Sequence, residues 1–258
     1  MEQELDIERY DRQIPVIGID GQRKLAQSSV LIAGVGGLGS PVSLYLVAMG
    51  IGTLVLVDDG EVELSNLNRQ ILYSTHDIGK RKVDIAKRKL QELNPHVNIE
   101  VYAQRLNEEL ARDLVKRVDV VVDALDNWET RMILNKVCVE YRKPLVHAGV
   151  EGFYGQVMTI VPGKGPCLAC LFTTMPPSRT RIPVMGITPG VLGTIEAAEV
   201  VKVLLSIGKP LIGRMLIVDL LSMEFRTIEV KRNPQCPGKL LLRWMFRSEY
   251  LPNDLPPL

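Results

Sequence analysis

The residues that could do chemistry begin with a glycine-rich turn. Residues 34–39 (Gly-Val-Gly-Gly-Leu-Gly) match the pattern G-x-G-x-x-G between an apolar segment and a helical one, and Asp58 ends the next apolar segment. Glycines let the backbone approach a phosphate, the helix start offers free N–H groups, and a carboxylate at the second strand end can hold ribose hydroxyls. This spacing predicts a nucleotide site. The alternative is a glycine turn that serves only tight strand–helix packing.

Several cationic residues follow or precede this turn. Residues 65–70 (Ser-Asn-Leu-Asn-Arg-Gln) contain Asn66 and Arg69, a basic run ends at Lys82, and the N-terminal arm contains Arg12. A hydride acceptor needs an apolar pocket, whereas a triphosphate needs several positive charges to offset its own as pyrophosphate departs. The pattern therefore favours ATP over a nicotinamide. An NAD-dependent dehydrogenase is the alternative from another enzyme class.

The elements that must position these residues alternate along the chain. Short apolar segments rich in β-branched residues predict strands, and the segments between them have helical periodicity. Strands are expected at residues 30–33, 54–58, 97–101, 118–125 and 145–150, and helices at 40–49, 80–93, 106–116 and 127–141. Ser40 and Pro41 suit the N-cap and first position of the first of these helices. This alternation predicts an α/β fold with a doubly wound, Rossmann-like, mostly parallel sheet.

After residue 150 the pattern changes to a C-terminal antiparallel extension. Strands are predicted at 152–161, 215–218 and 225–230, around an apolar helix at 190–205. Residues 173–189 contain four prolines and predict a substrate loop. The whole chain, 1–258, is expected to be a single domain, with an N-terminal arm and helix (1–28), a nucleotide-binding half (29–150) and the extension (151–258). Because the apolar helix exceeds one amphipathic face, it must be enclosed by its own core or by a second subunit.

Composition excludes several classes of protein. The 258 residues carry 31 Lys and Arg against 30 Asp and Glu, so a nucleic-acid-binding surface is not expected. Four cysteines do not make a disulfide scaffold. Residues 30–57 lack charge, but their glycines and Pro41 argue against a membrane span. The acidic N-terminus is unlike a signal peptide, so a cytoplasmic protein is expected.

Five motifs together resemble one family. They are Arg9-Tyr10-Asp11-Arg12-Gln13, the turn at 34–39, Asp58, the segment at 65–70 and Asp123-Ala124-Leu125-Asp126-Asn127. Their order is similar to that of the ThiF/MoeB/HesA family, the prokaryotic relatives of ubiquitin-activating enzymes, over residues 8–237. Within the family, the chain looks closest in type to the molybdopterin-synthase adenylyltransferases.

The resemblance implies a reaction and a set of roles. The family adenylates the C-terminal Gly-Gly carboxylate of a small ubiquitin-like β-grasp sulfur carrier, forming an acyl-adenylate and pyrophosphate. The carrier then serves molybdopterin or thiamine biosynthesis, or tRNA thiolation. The implied cofactors are ATP and Mg²⁺, and the implied assembly is a homodimer. The implied roles are Gly37, Asn66, Arg69 and Lys82 on the phosphates, Asp58 on the ribose, Asp126 on Mg²⁺, Asn127 beside it, and Arg12 reaching the partner subunit's triphosphate.

Two alternatives stay open at this point. One is a non-catalytic relative that only binds a β-grasp partner. The other is an enzyme whose target is a peptide or a tRNA. Singly, some motif residues also have plain structural interpretations: Asp126 and Asn127 could cap the following helix, and the cations could lie on solvated surfaces.

The chain departs from the family pattern at its cysteines. Cys167, Cys170 and Cys236 match three ligands of the family's structural zinc site, but Lys239 stands at the fourth position, so zinc would need an outside ligand. Residues 173–189 contain no cysteine, which removes covalent catalysis from that loop and favours an external sulfur source. His147, in a predicted strand, is expected to be structural rather than a catalytic base, because the reacting carboxylate is already ionised.

Overall fold

The computed structural model describes residues 6–172 and 182–236 as one eight-stranded sheet flanked by helices. The strands are β1 (Ser29–Ala33), β2 (Thr53–Val57), β3 (Asn98–Tyr102), β4 (Val120–Asp123), β5 (Leu145–Glu151), β6 (Tyr154–Ile160), β7 (Arg214–Asp219) and β8 (Glu224–Glu229). The helices are α1 (Ile14–Gln27), α2 (Gly39–Ala48), α3 (Lys82–Leu93), α4 (Glu108–Val115), α5 (Trp128–Glu140), α6 (Leu168–Leu171) and α7 (Ile187–Leu205). Short 3-10 turns lie at Glu8–Tyr10, Leu64–Asn66 and Thr75–Asp77.

The sheet order is β3-β2-β1-β4-β5-β6-β7-β8. Strands β1 to β5 are parallel, and β6 to β8 continue the sheet antiparallel. The strand order reverses between the parallel neighbours β1 and β4, since β2 and β3 lie on one side of β1 and β4 and β5 on the other. Ligands bind at this switch point in open parallel sheets. The prediction of a mostly parallel sheet with an antiparallel extension is confirmed.

Helices cover both faces of the parallel strands. On one face, α2, α3 and α7 pack against side chains such as Ile32, Leu56 and Val146. On the other, α4, α5 and α6 pack against Leu31 and Val121. Because both faces are covered, the central strands β1, β2 and β4 are largely apolar instead of alternating. The apolar helix predicted after residue 190 is α7, and it lies partly buried between α2 and the sheet.

Some local predictions were wrong. Helix α2 begins at Gly39 with Leu38 as N-cap, so Ser40 lies inside the helix, where its Oγ donates to Gly36 O at 2.7 Å. The last three residues of the predicted substrate loop belong to α7, which begins at Ile187. Residues 173–181 of that loop, and Lys239, lie outside the described residues. Across residues 6–172 and 182–236, no helix combines the length and apolar character that crossing a membrane requires.

Candidate nucleotide site

The glycine-rich turn after β1 is shaped by close backbone approach. Gly34 has a φ of +90°, and a Cβ there would lie 2.6 Å from Ala124 O. A Cβ on Gly39 would lie 2.0 Å from Gly34 O, and one on Gly37 would lie 3.2 Å from the Pro189 ring. Packing alone therefore demands the outer two glycines, as the structural interpretation held. Gly37 instead faces the start of α7.

Helix α2 presents an uncapped N-terminus at this turn. Leu38, the N-cap, provides no side-chain hydrogen bond to the first turn, and the Ser40 hydroxyl is turned back to Gly36 O. The positive end of the helix dipole and its free N–H groups are therefore directed at the edge of the sheet. Such an end suits a phosphate.

Asp58 and Lys82 converge beside the same turn. The Asp58 carboxylate accepts hydrogen bonds from Val35 N through Oδ2 and from Gly60 N through Oδ1, both at 2.8 Å. Lys82 N donates to Gly60 O at 3.0 Å. A Cβ placed on Gly60 would lie 3.0 Å from Asp58 Oδ1 and 3.1 Å from Lys82 Nζ. The structure thus brings together the anionic and cationic groups that the sequence assigned to ribose and phosphate.

Asn66 and Arg69 lie on the other side of the glycine turn. Asn66 is buried, and its Oδ1 accepts from Glu63 N at 3.2 Å. Arg69 is half-buried, its Nη1 donates to Ser65 O at 2.9 Å, and a Cβ on Gly37 would lie 3.6 Å from Arg69 Cγ. Arg69 therefore lies close to the glycine turn, whereas the Asn66 side chain stabilises the 3-10 turn at Leu64–Asn66.

Asp126 and Asn127 follow β4 at the same edge and differ in what they contact. Asn127 Oδ1 accepts from Thr130 N at 2.9 Å, so this side chain is the N-cap of α5. Asp126 is exposed, and within the described residues its carboxylate has no hydrogen bond or ion pair. The capping interpretation is therefore correct for Asn127 only. A free carboxylate is a suitable ligand for a hard cation, so Asp126 fits Mg²⁺ by its donor chemistry.

The N-terminal arm lies at the opposite edge of the sheet. Tyr10 Oη accepts from Asn94 Nδ2 at 3.0 Å, and Gln13 Nε2 donates to Met49 O at 2.9 Å. Asn94 and Met49 are where α3 and α2 end, whereas both helices begin at the nucleotide edge. Arg12, between these anchors, is exposed, and the anchors lie at the C-terminal ends of α2 and α3, away from the nucleotide edge.

Three cysteines form a second cluster, close to the end of α5. Cys167 Sγ lies 3.9 Å from Cys170 Sγ and 3.5 Å from Cys236 Sγ, and all three sulfurs lie within 4.8 Å of one another. They line a cavity of about 160 Å³ that Arg232 and Asn233 also border. Three convergent thiols fit three of the four ligands of a tetrahedral zinc site. The fourth cysteine, Cys138, is buried in the apolar core as predicted.

A buried polar network below the nucleotide edge was not predicted. Asp123, fully buried at the end of β4, contacts His147 Nδ1 at 2.7 Å and forms an ion pair with Arg131 Nε at 2.9 Å. Burial would raise the pKa of Asp123, but the Arg131 charge and the His147 hydrogen bond bring it below its usual value. Burial, with the Arg131 charge, lowers the pKa of His147, which is therefore neutral at pH 7. The sequence signal was an aspartate inside an apolar strand, which requires a partner.

Comparisons with known proteins show the family and the fold. The model of the ThiF family matches residues 10–238. The sulfur carrier protein adenylyltransferase of Thermus thermophilus is 45% identical over 244 residues, covering 90% of each chain. The sulfur carrier protein ThiS adenylyltransferase of Escherichia coli is 42% identical over 238 residues, 90% of this chain and 94% of that protein. The crystal structure of E. coli MccB with ATP has a TM-score of 0.81 and 26% identity, covering 89% of this chain and 74% of that one. With its matching sheet and motif order, the chain belongs to the ThiF family.

Proposed function

We propose that this protein is an ATP-dependent adenylyltransferase that activates the C-terminal carboxylate of a small β-grasp sulfur carrier protein. The observation that carries the proposal is the grouping of Asp58, Lys82 and Arg69 around the glycine turn at the uncapped start of α2, with Ala124, two residues before Asp126, against Gly34 of the same turn. The relatives at 42–45% identity are named sulfur carrier protein adenylyltransferases, which supports this substrate class.

The chemistry explains why such a site needs little more than position and charge. A carboxylate is a poor electrophile because its negative charge repels nucleophiles and oxide is a poor leaving group. Its oxygen attacks the α-phosphorus of ATP, the bond to the bridging oxygen breaks, and pyrophosphate leaves with that electron pair. The product is a mixed anhydride with AMP. Alignment of the reactants and neutralisation of the phosphate charge lower the barrier.

The residues of the site then have distinct roles. Asp58 accepts hydrogen bonds from the ribose hydroxyls, and the first turn of α2 donates to the phosphates. Lys82 and Arg69 offset charge on the triphosphate. Asp126 holds Mg²⁺, which when bound neutralises phosphate charge. His147 takes no part as a base, since the attacking carboxylate is already ionised at pH 7.

Arg12 acts in this proposal on the nucleotide of a second subunit in a homodimer. Helices α2 and α3 have 10 and 12 residues and separate the two edges of the sheet. At 1.5 Å per residue they span about 15–18 Å, farther than an arginine side chain reaches. Arg12 of one subunit can therefore serve a nucleotide only across an interface.

The three cysteines have a structural role. Cys167, Cys170 and Cys236 would hold zinc together with one outside ligand, and the ion would tie the segment after β8 to α6 and its N-cap. No chemical step of adenylation depends on it. Because residues 173–189 contain no cysteine, sulfur reaches the adenylate from an external donor.

A second candidate substrate is a peptide carboxyl terminus. The solved structures of E. coli MccB include complexes with MccA, such as N-formylated MccA. Those structures are 25–26% identical to this chain, whereas the named carrier adenylyltransferases reach 42–45%. The higher identity favours the carrier protein.

The test is ATP–pyrophosphate exchange with purified protein, Mg²⁺ and candidate carriers that end in Gly-Gly. Exchange is expected with one such carrier and lost when the same carrier has a C-terminal amide, because the amide removes the attacking carboxylate. A carrier-independent hydride transfer would support the dehydrogenase alternative, and exchange with a peptide alone would support the peptide substrate. Lack of exchange with every Gly-Gly carrier of the source cell would refute the proposal.

A further inference from the structure

The turn that carries Asp126 is held from below by Arg131. The guanidinium of this buried side chain donates through Nη2 to Leu125 O, immediately before Asp126, and to Ala148 O at 3.2 Å in β5. Its Nε forms the ion pair with Asp123. One planar cation thus joins the end of β4, the turn after it and the neighbouring strand.

The second carboxylate oxygen of Asp123 contacts the same turn. Leu125 N donates to Asp123 Oδ1 at 3.2 Å, while Oδ2 faces Arg131 and His147. Both backbone polar groups of Leu125 are therefore fixed by this ion pair. Since His147 is neutral, the buried charges of Asp123 and Arg131 balance, as a buried pair requires.

The first residue of α5 covers the guanidinium. The guanidinium carbon of Arg131 lies 4.8 Å from the centroid of the Trp128 ring, a cation–π distance. The Trp128 ring in turn packs against Phe172, with centroids 4.5 Å apart and planes tilted by 57°. The turn is thus anchored on both sides of Asp126, by Leu125 before it and by the Asn127 cap after it.

We infer that Arg131 is a positioning residue for the metal site: it holds the Asp126 carboxylate where Mg²⁺ and the nucleotide phosphates require it. The inference rests on the proposed function for the identity of the ligand. Asp126 has no partner of its own among the described residues, so its position depends on the backbone on either side. The planar guanidinium fixes Leu125 O and so restricts that backbone. The contacts with the turn also help to offset the free-energy cost of burying the Arg131 charge.

The test is Arg131→Lys, which keeps the charge but replaces the fork by a single ammonium. The measurement is Mn²⁺ affinity by electron paramagnetic resonance, with an ATP analogue that carries an α,β-methylene bridge, so that no turnover is needed. Loss of a residue that orients a metal ligand typically weakens metal binding about 10- to 100-fold, and we expect a loss in this range. Lys136→Gln is the control, because Lys136 lies on the same helix and pairs with exposed Glu108.

A double variant provides a second test that leaves no unpaired buried charge. Asp123→Asn with Arg131→Gln removes both buried charges together, which avoids an unpaired one, and should weaken Mn²⁺ binding by a similar factor. In the Asp126→Asn background, Arg131→Lys should change Mn²⁺ affinity less than about 2-fold, because the two residues act through one ligand. Thermal unfolding checks that each variant is folded.

The outcomes separate the inference from the proposed function. Unchanged Mn²⁺ affinity in folded Arg131→Lys, or a full additional loss in the Asp126→Asn background, would overturn the positioning role. If wild type binds Mn²⁺ and the analogue but catalyses no exchange, the proposed reaction is wrong while the affinities still decide the role of Arg131. If wild type binds neither, both are wrong.

Discussion

Complementation between two inactive variants tests whether the active site is shared between subunits. Arg12→Ala removes the cation of the N-terminal arm, and Asp126→Ala removes the carboxylate at the nucleotide edge. The arm is anchored to the ends of α2 and α3, about 15–18 Å from the nucleotide edge of its own chain, as their 10 and 12 residues imply. Each homodimer of either variant therefore lacks one essential group at both of its sites.

The expected recovery follows from symmetry. In a two-fold dimer that shares its sites, each heterodimer has one site with both residues intact and one site with neither. Random pairing of equal amounts makes half of the dimers heterodimers, so about a quarter of all sites are restored. The rate of ATP–pyrophosphate exchange should rise from near zero to about a quarter of the wild-type rate as the subunits redistribute between dimers.

The assay is ATP–pyrophosphate exchange after mixing, with subunit exchange followed by native mass spectrometry of size-tagged chains. Lys82→Ala mixed with Asp126→Ala is the matched control. Both residues lie at the nucleotide edge of one chain, so no heterodimer regains an intact site and no activity should return. If the mixture of Arg12→Ala and Asp126→Ala regains no activity although its subunits are shown to exchange, the reasoning is refuted.

Three further predictions concern single groups. Asp126→Asn should reduce pyrophosphate exchange about 100-fold or more without lowering Tm, since the carboxylate has no partner among the described residues; unfolding of this variant would contradict that. Zinc measured by mass spectrometry should be near stoichiometric, lost in Cys236→Ser and retained in Cys138→Ser; a metal-free wild type would exclude the zinc site. Relative to wild type, Glu196→Gln should have a higher Tm at about pH 9 and nearly the same Tm at about pH 5, as measured by calorimetry. Equal Tm values at both pH values would contradict it.

The sign of the Glu196 effect follows from its burial. Glu196 is fully buried on α7, neither carboxylate oxygen has a hydrogen-bond partner among the described residues, and burial raises its pKa well above the 4.5 of a free glutamate. The folded state therefore binds a proton that the unfolded state releases. Its stability is greatest below the pKa of the unfolded state and is lost as pH rises towards the folded pKa. A glutamine cannot ionise, so its advantage grows with pH.

Local sequence information was sufficient for the elements and for the centre of the site. Apolar β-branched runs gave β1, β2 and β4, and the glycine turn with Asp58 gave the nucleotide edge, because these features depend on neighbouring residues. The Ser40 cap was wrong for the opposite reason. The turn after β1 is set by the close approach of Gly34 to Ala124, and the N-cap lies two residues earlier than predicted, at Leu38.

The sequence by itself determined the family, the order of the strands and helices along the chain, and the types of residue available for phosphate and metal. Only the tertiary structure decided which of them meet. It placed Lys82 beside Asp58, put Arg12 at the opposite edge, and paired Asp123 with Arg131 beneath Asp126. Such contacts join residues far apart in the chain, and they are set by how helices pack on a sheet rather than by any periodicity within one segment.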